Sequence, residues 1–128
     1  MDNLIFEGKV ISGEGNGKKY LSLPWVKQQI ESKLGFTPYL GTLNLKLGKE
    51  GVVKRRILKK IQADSICPAQ GYCIGLLYKA KINNRDCAVV IPQVKNYPQN
   101  VLEIVAALNL REELKLRDGV LVSVSVFL

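Results

Sequence analysis

Thr42 and Asn44 stand two residues apart, just after the turn-forming Pro38 and Gly41 and within the alternating run Leu43-Asn44-Leu45-Lys46-Leu47. Successive side chains of a strand alternate faces, so Thr42 and Asn44 share one face while Leu43, Leu45 and Leu47 share the other. A hydroxyl oxygen beside an amide carbonyl oxygen is a pair of hard, neutral donors, the kind magnesium accepts when phosphates supply the negative charge. A half-buried strand with a polar exterior has the same pattern, and the pair alone does not decide between the two.

The second candidate is the run Ser12-Gly13-Glu14-Gly15-Asn16-Gly17-Lys18-Lys19-Tyr20, with glycine at every second position and then two lysines. Backbone N–H groups of such a loop approach an anion without interference from Cβ atoms, and a lysine neutralises phosphate charge. The Walker spacing is missing, and the sequence predicts a return to strand at Tyr20 to Leu23 rather than a helix. A flexible hairpin tip has the same composition. The chain has no histidine, which excludes Ser-His-Asp and Cys-His catalysis. A net charge of +8 and a pI near 9.5 favour polyanionic ligands, although a lysine-rich surface gives the same balance.

These candidates need a scaffold. At 128 residues, with 47% hydrophobic and 23% charged residues, the chain suits one domain whose core needs no staples. No window approaches a membrane span and no signal peptide is evident, so a cytoplasmic protein is expected. Cys67, Cys73 and Cys87 read as reduced, buried thiols; without histidine or a Cys-x-x-Cys pair, zinc is disfavoured.

In order, the pattern predicts a strand over 4–12, a helix over 24–34 stopped by Gly35, and the Thr42/Asn44 strand. A turn over 48–51 follows, then the basic run 52–61 carrying Lys54, Arg55, Arg56, Lys59 and Lys60. That run is either a nucleic-acid patch or a solvated face; it lacks the interleaved aromatics that stack bases. A hairpin is expected from strands 72–82 and 87–91 around the Asn83-Asn84 turn. After a polar loop over 93–99, a helix is expected over 100–108, with Asn100 and Glu103 as its capping pair and Leu102, Val105 and Ala106 as its apolar face. A short helical turn over 110–114, a turn at Asp118-Gly119 and a closing strand over 120–128 complete a mainly β chain with a few short helices, predicted to form a compact closed barrel.

Five blocks together resemble the archaeal CTP-dependent riboflavin kinase family. They are the glycine run with its Tyr20-Leu21-Ser22-Leu23 extension, the block Leu34-Gly35-Phe36-Thr37-Pro38-Tyr39-Leu40-Gly41-Thr42-Leu43-Asn44-Leu45, then Leu102-Glu103-Ile104-Val105-Ala106, Leu110-Arg111-Glu112 and Leu116-Arg117-Asp118-Gly119. The Leu-Gly-Phe-x-Pro-x-x-Gly-Thr-Leu-Asn block is the specific part. The resemblance implies a six-stranded cradle-loop barrel that moves the terminal phosphate of CTP to the 5′-hydroxyl of riboflavin, giving FMN and CDP. It also implies a single barrel domain over 1–128, without the winged-helix domain that many family members carry in front.

Carried over by position, Thr42 and Asn44 are the expected magnesium ligands. Gly13, Glu14, Gly15, Asn16, Gly17 and Lys18 are the expected phosphate cradle, and Leu108, Asn109, Leu110 and Arg111 the contacts to the cytosine nucleotide. Glu103 falls at the flavin, where it either orients or deprotonates the acceptor hydroxyl or merely caps its helix. The family's second flavin segment reads Thr-x-His; here it is Val94-Lys95-Asn96-Tyr97-Pro98-Gln99, and Lys95 is the position carried over. The expected partners are therefore riboflavin or FMN and CTP or CDP, with no membrane, nucleic acid disfavoured, and the chain a monomer. The rival is a non-catalytic barrel that binds nucleic acid through the basic run or senses flavin or nucleotide.

Overall fold

The computed structural model describes residues 3–13, 16–61, 63–67, 75–93 and 95–128. In chain order the elements are β1 (Asn3–Ile11), α1 (Asn16–Leu21), α2 (Pro24–Leu34), β2 (Leu43–Leu47), α3 (Lys49–Leu58), β3 (Asp64–Ile66), β4 (Gly75–Ile82), β5 (Arg85–Pro92), β6 (Val101–Ala106), α4 (Leu110–Glu113) and β7 (Leu121–Phe127). All strand pairs are antiparallel, in the order β4-β5-β6-β2-β1-β7, and β7 returns to β4 through Ala80↔Val126 and Lys81↔Ser125. Six strands thus close into a barrel, and β3 pairs with the other half of β4 through Ile66↔Gly75.

Two apolar layers hold this ring. Inside, Phe6, Val10, Leu43, Leu45, Leu47, Val89, Ile91, Leu102, Ile104, Val124 and Val126 form one cluster. Outside, Leu21, Val26 and Ile30 of α1 and α2 pack with Ile66 of β3 on Leu77, Ala88, Val90 and Val105. Strand β5 is covered on both faces, which explains why Cys87-Ala88-Val89-Val90-Ile91 is continuously apolar rather than alternating. Helix α2 begins at Pro24 and ends at Gly35, whose φ of 80° is the left-handed conformation glycine tolerates best. The β4–β5 hairpin turns on Asn83 and Asn84, with φ of 47° and 64°, the paired positive values of a type I′ turn.

Three expected elements differ. Residues 100–108 contain the strand β6, because Leu102, Ile104 and Ala106 satisfy a two-residue period as well as a helical one and two neighbouring strands offer ladders. Asn100 and Glu103 are therefore no capping pair. The chain behind the glycine run is helical rather than extended, since α1 places Leu21 in the outer apolar layer. The expected turn over 48–51 opens α3: Gly48 is its N-cap, and Gly51 lies so close to Leu47 that a Cβ there would be 2.9 Å from the Leu47 Cβ. The basic run on α3 is not one solvated face. Arg55 is 2% exposed, and Lys54 Nζ donates to the Ile5 carbonyl at 2.8 Å.

Cys87 is free and buried, but Cys67 is disulfide-bonded, against the expectation of reduced thiols. Sequence spacing does not reveal the Cα approach on which a disulfide depends. Cys73 lies outside the described residues. No described helix is long and apolar enough to cross a membrane.

Gly8 of β1 leaves no room for a side chain: a Cβ would sit 2.9 Å from the Leu45 Cβ and 3.0 Å from the Lys46 carbonyl oxygen, both on β2. Gly8→Ala is expected to destabilise the barrel by about 1–3 kcal/mol, seen as a lower urea midpoint with an unchanged m-value.

Candidate active site

The register of β2 against β6 sets Asn44 directly opposite Glu103. With Leu43, Leu45 and Leu47 buried inside, Asn44 and its opposite number both project from the outer wall. Thr42, one residue before β2, adds its hydroxyl: Oγ1 lies 3.0 Å from Asn44 Oδ1 and 3.1 Å from Glu103 Oε1. One hydroxyl proton serves only one of those acceptors at a time, so three oxygens converge with a surplus of lone pairs. That donor set fits a hard cation. Among the described residues no three His, Cys, Asp or Glu side chains gather as a metal group, so a cation here would need further anionic ligands from a bound molecule.

The end of β1 meets this cluster at Gly13. A Cβ on Gly13 would fall 2.2 Å from Asn44 Nδ2, so any side chain there would push the Asn44 amide out of its place in the cluster. Beyond it, Arg111 of α4 donates to Asp118 Oδ1 at 2.8 Å, and Ser12 donates to the same carboxylate at 2.9–3.0 Å. These contacts hold the Asp118 carboxyl below its ordinary value, the bond from Arg111 foremost. Asn109 caps α4 by accepting from the Glu112 N–H at 3.3 Å, and its amide donates to the Tyr39 hydroxyl at 3.1 Å.

On the opposite side of Glu103, the Tyr97 hydroxyl donates to Oε2. Burial first, and then that bond, push the Tyr97 phenol above its ordinary value, so it remains a donor at neutral pH. The Arg55 guanidinium lies 5.6 Å from the centroid of the Tyr97 ring. Tyr20 is pushed up to about 12 by burial and then by the charge of Glu103. Its hydroxyl is buried without a hydrogen-bond partner among the described residues.

The Thr42–Asn44–Glu103 cluster, Ser12, Tyr39, Tyr97, Asn109 and Arg111 border one cavity of about 710 Å³, a size that suits a small-molecule ligand. Gly13, Lys18, Thr42, Asn44, Lys95, Glu103, Leu108, Asn109, Leu110 and Arg111 all line it, so the residues singled out by sequence meet in one place. Asn16 and Gly17 lie in α1. Glu14 and Gly15 lie outside the described residues. Sequence reasoning missed Ser12, Tyr39 and Tyr97 as lining residues and Arg55 as the group beneath Tyr97. Ser12 and Tyr39 meet partners 106 and 70 positions away, Tyr97 meets Glu103 six positions on across a loop, and Arg55 reaches Tyr97 from a separate helix, so no local pattern marks them.

The fold is a closed antiparallel barrel domain with an oxygen-rich, ligand-sized cleft on its outer wall, bordered by Gly13 and the basic side chains of Lys18 and Arg111. The chain belongs to the CTP-dependent riboflavin kinase family: the family described as "Domain of unknown function DUF120" under that label matches residues 10–126. It is 42% identical over 94% of its length to the riboflavin kinase of Pyrobaculum aerophilum and 39% identical over 95% to that of Archaeoglobus fulgidus. The riboflavin kinase of Ignicoccus hospitalis is 35% identical over 97% of the chain. The chain spans 60% of the length of the Pyrobaculum aerophilum protein and 54% of the Archaeoglobus fulgidus one.

Because the folded value of Asp118 is depressed, its contribution to stability is present above the ordinary value of 3.8 and fades as pH falls through the lower folded value. The melting temperature of Asp118→Asn is therefore expected to lie below that of the unaltered protein at pH 7, with the gap closing below pH 3.8 in a pH series of thermal melts.

Proposed function

We propose that this domain is a riboflavin kinase that transfers the terminal phosphate of CTP to the riboflavin 5′-hydroxyl, releasing FMN and CDP with magnesium as cofactor. The observation that carries this reading is the convergence of Thr42, Asn44 and Glu103 in one cavity, with Gly13, Lys18 and Arg111 on its border. Family membership and the riboflavin kinase relatives support it, and CTP as donor rests on the family label.

Phosphoryl transfer depends on positioning and charge stabilisation more than on covalent help from the protein. In this reading the chain from Gly13 to Lys18 and the segment Leu108 to Arg111 bind the nucleotide, while Lys18 offsets triphosphate charge. Thr42 Oγ1 and Asn44 Oδ1 would hold magnesium, which supplies electrostatic relief to the phosphates when bound. Glu103 accepts the proton of the riboflavin 5′-hydroxyl. The freed oxygen bonds to the terminal phosphorus, the bond between that phosphorus and the CDP oxygen breaks, and CDP leaves. Lys95 and Tyr97 border the acceptor end.

Incubation with riboflavin and magnesium is expected to give FMN with CTP and little with ATP; absence of FMN with either nucleotide would overturn the reading. Glu103→Gln is expected to lower kcat by about 10²–10⁴-fold, and unchanged turnover would remove the base role. Thr42→Val with Asn44→Leu is expected to keep the circular dichroism of the barrel while abolishing magnesium-dependent CDP binding in calorimetry. Equal affinity with and without the double substitution would reduce the pair to a polar strand face.

A further inference from the structure

Arg55 is a charge in the wrong place for a surface lysine–arginine run. It is 2% exposed, burial pulls its guanidinium below its ordinary value, and no described carboxylate lies within ion-pair distance. A buried charge is costly unless its surroundings use it. The side-chain hydrogen bonds and ring contact of Arg55 fall on one stretch of chain at alternate residues, with Tyr78 also within its electrostatic reach: its guanidinium lies against the ring of Tyr97, Nη1 donates to Gln99 Oε1 at 3.5 Å, and Nε donates to the Val101 carbonyl at 3.2 Å. The next alternate residue is Glu103, reached through the Tyr97 hydroxyl on Oε2.

We propose that Arg55 and Tyr97 form one positioning unit for Glu103: Arg55 fixes the loop entering β6 and the Tyr97 ring, and Tyr97 fixes Oε2 so that Oε1 is presented at Thr42. Neither is a catalytic residue. A free glutamate side chain loses rotamer freedom on being ordered, and a charge-assisted hydrogen bond backed by a buried cation meets that cost before substrate arrives. Arg55 reaches Glu103 both through the Tyr97 ring and through the chain at Gln99 and Val101, and the guanidinium plane suits both ring stacking and a fork of bonds that lysine does not reproduce. The inference rests on the kinase reading for its kinetic consequence, while its geometric content stands apart from it.

Tyr97→Phe is expected to lower kcat roughly tenfold to a hundredfold, the value of a lost charge-assisted bond, with the CDP dissociation constant held within about twofold. Arg55→Met is expected to lower kcat similarly while leaving the melting temperature unchanged or higher, because an apolar replacement removes a buried charge. Arg55→Lys recovers little. The double variant Tyr97→Phe/Arg55→Met is expected to lose less than the product of the two single-variant losses, as required when two residues position one group; additive losses would overturn the unit. A crystal structure of Tyr97→Phe separates this inference from the kinase reading. Glu103 displaced from the Thr42 hydroxyl supports the unit, and Glu103 unmoved overturns it, whether or not the unaltered protein makes FMN.

Discussion

A β-ladder admits no half-steps: a slip of one residue turns every side chain to the opposite face. In this barrel that constraint falls on β2 and β6, where Asn44 faces Glu103 and Leu45 faces Leu102. The inner pair is buried in the core and the outer pair in the cavity wall, so the same register that completes the apolar interior assembles the polar cluster outside. Burial of Leu43, Leu45 and Leu47 therefore guarantees the placement of Thr42 and Asn44. Core and site are two faces of one strand, which accounts for a cluster this well ordered on a domain this small.

Around that fixed point the charges are arranged by function rather than by number. Much of the net +8 is spread over exposed lysines, but the cations that border the cleft are few, and one of them, Arg111, is held by Asp118 and Ser12. A paired guanidinium has less freedom to wander and keeps its remaining donors aimed along one wall. Arg55 lies behind the opposite wall, where its field reaches the cleft through Tyr97. The basic run 52–61 thus divides into a buried cation, a lysine tied to β1 and Glu50, and an exposed remainder formed by Arg56, Lys59 and Lys60.

The parity of Thr42 and Asn44 was readable because alternation is a local rule, and so were α2, bounded by Pro24 and Gly35, and the Asn83-Asn84 turn. Each is settled by residues within a few positions of one another. Strand β6 was not, because 101–106 carries both periods and only the ladders to β2 and β5 decide between them. Glu103 was picked out for its likeness to a family position, yet its geometry follows from a cross-strand partner 59 positions upstream of it rather than from a helix start. Arg55 escaped for the same reason: nothing in Lys54-Arg55-Arg56 tells which of the three turns inward until α3 is packed on β1 and β2. Resemblance supplied the site's membership, and long-range pairing supplied its shape.

The barrel closes through a short seam. Strands β4 and β7 share only the pairs Ala80↔Val126 and Lys81↔Ser125, whereas β1 and β7 are paired from Asn3↔Phe127 to Lys9↔Leu121. With two register pairs, this seam has the fewest cross-strand bonds to resist a local opening of the ring. In the strand order β4-β5-β6-β2-β1-β7 the seam lies diametrically across from the β6–β2 junction. The shortest ladder of the ring is thereby placed on the side away from Thr42, Asn44 and Glu103, so any opening that starts there leaves the Asn44–Glu103 pairing intact.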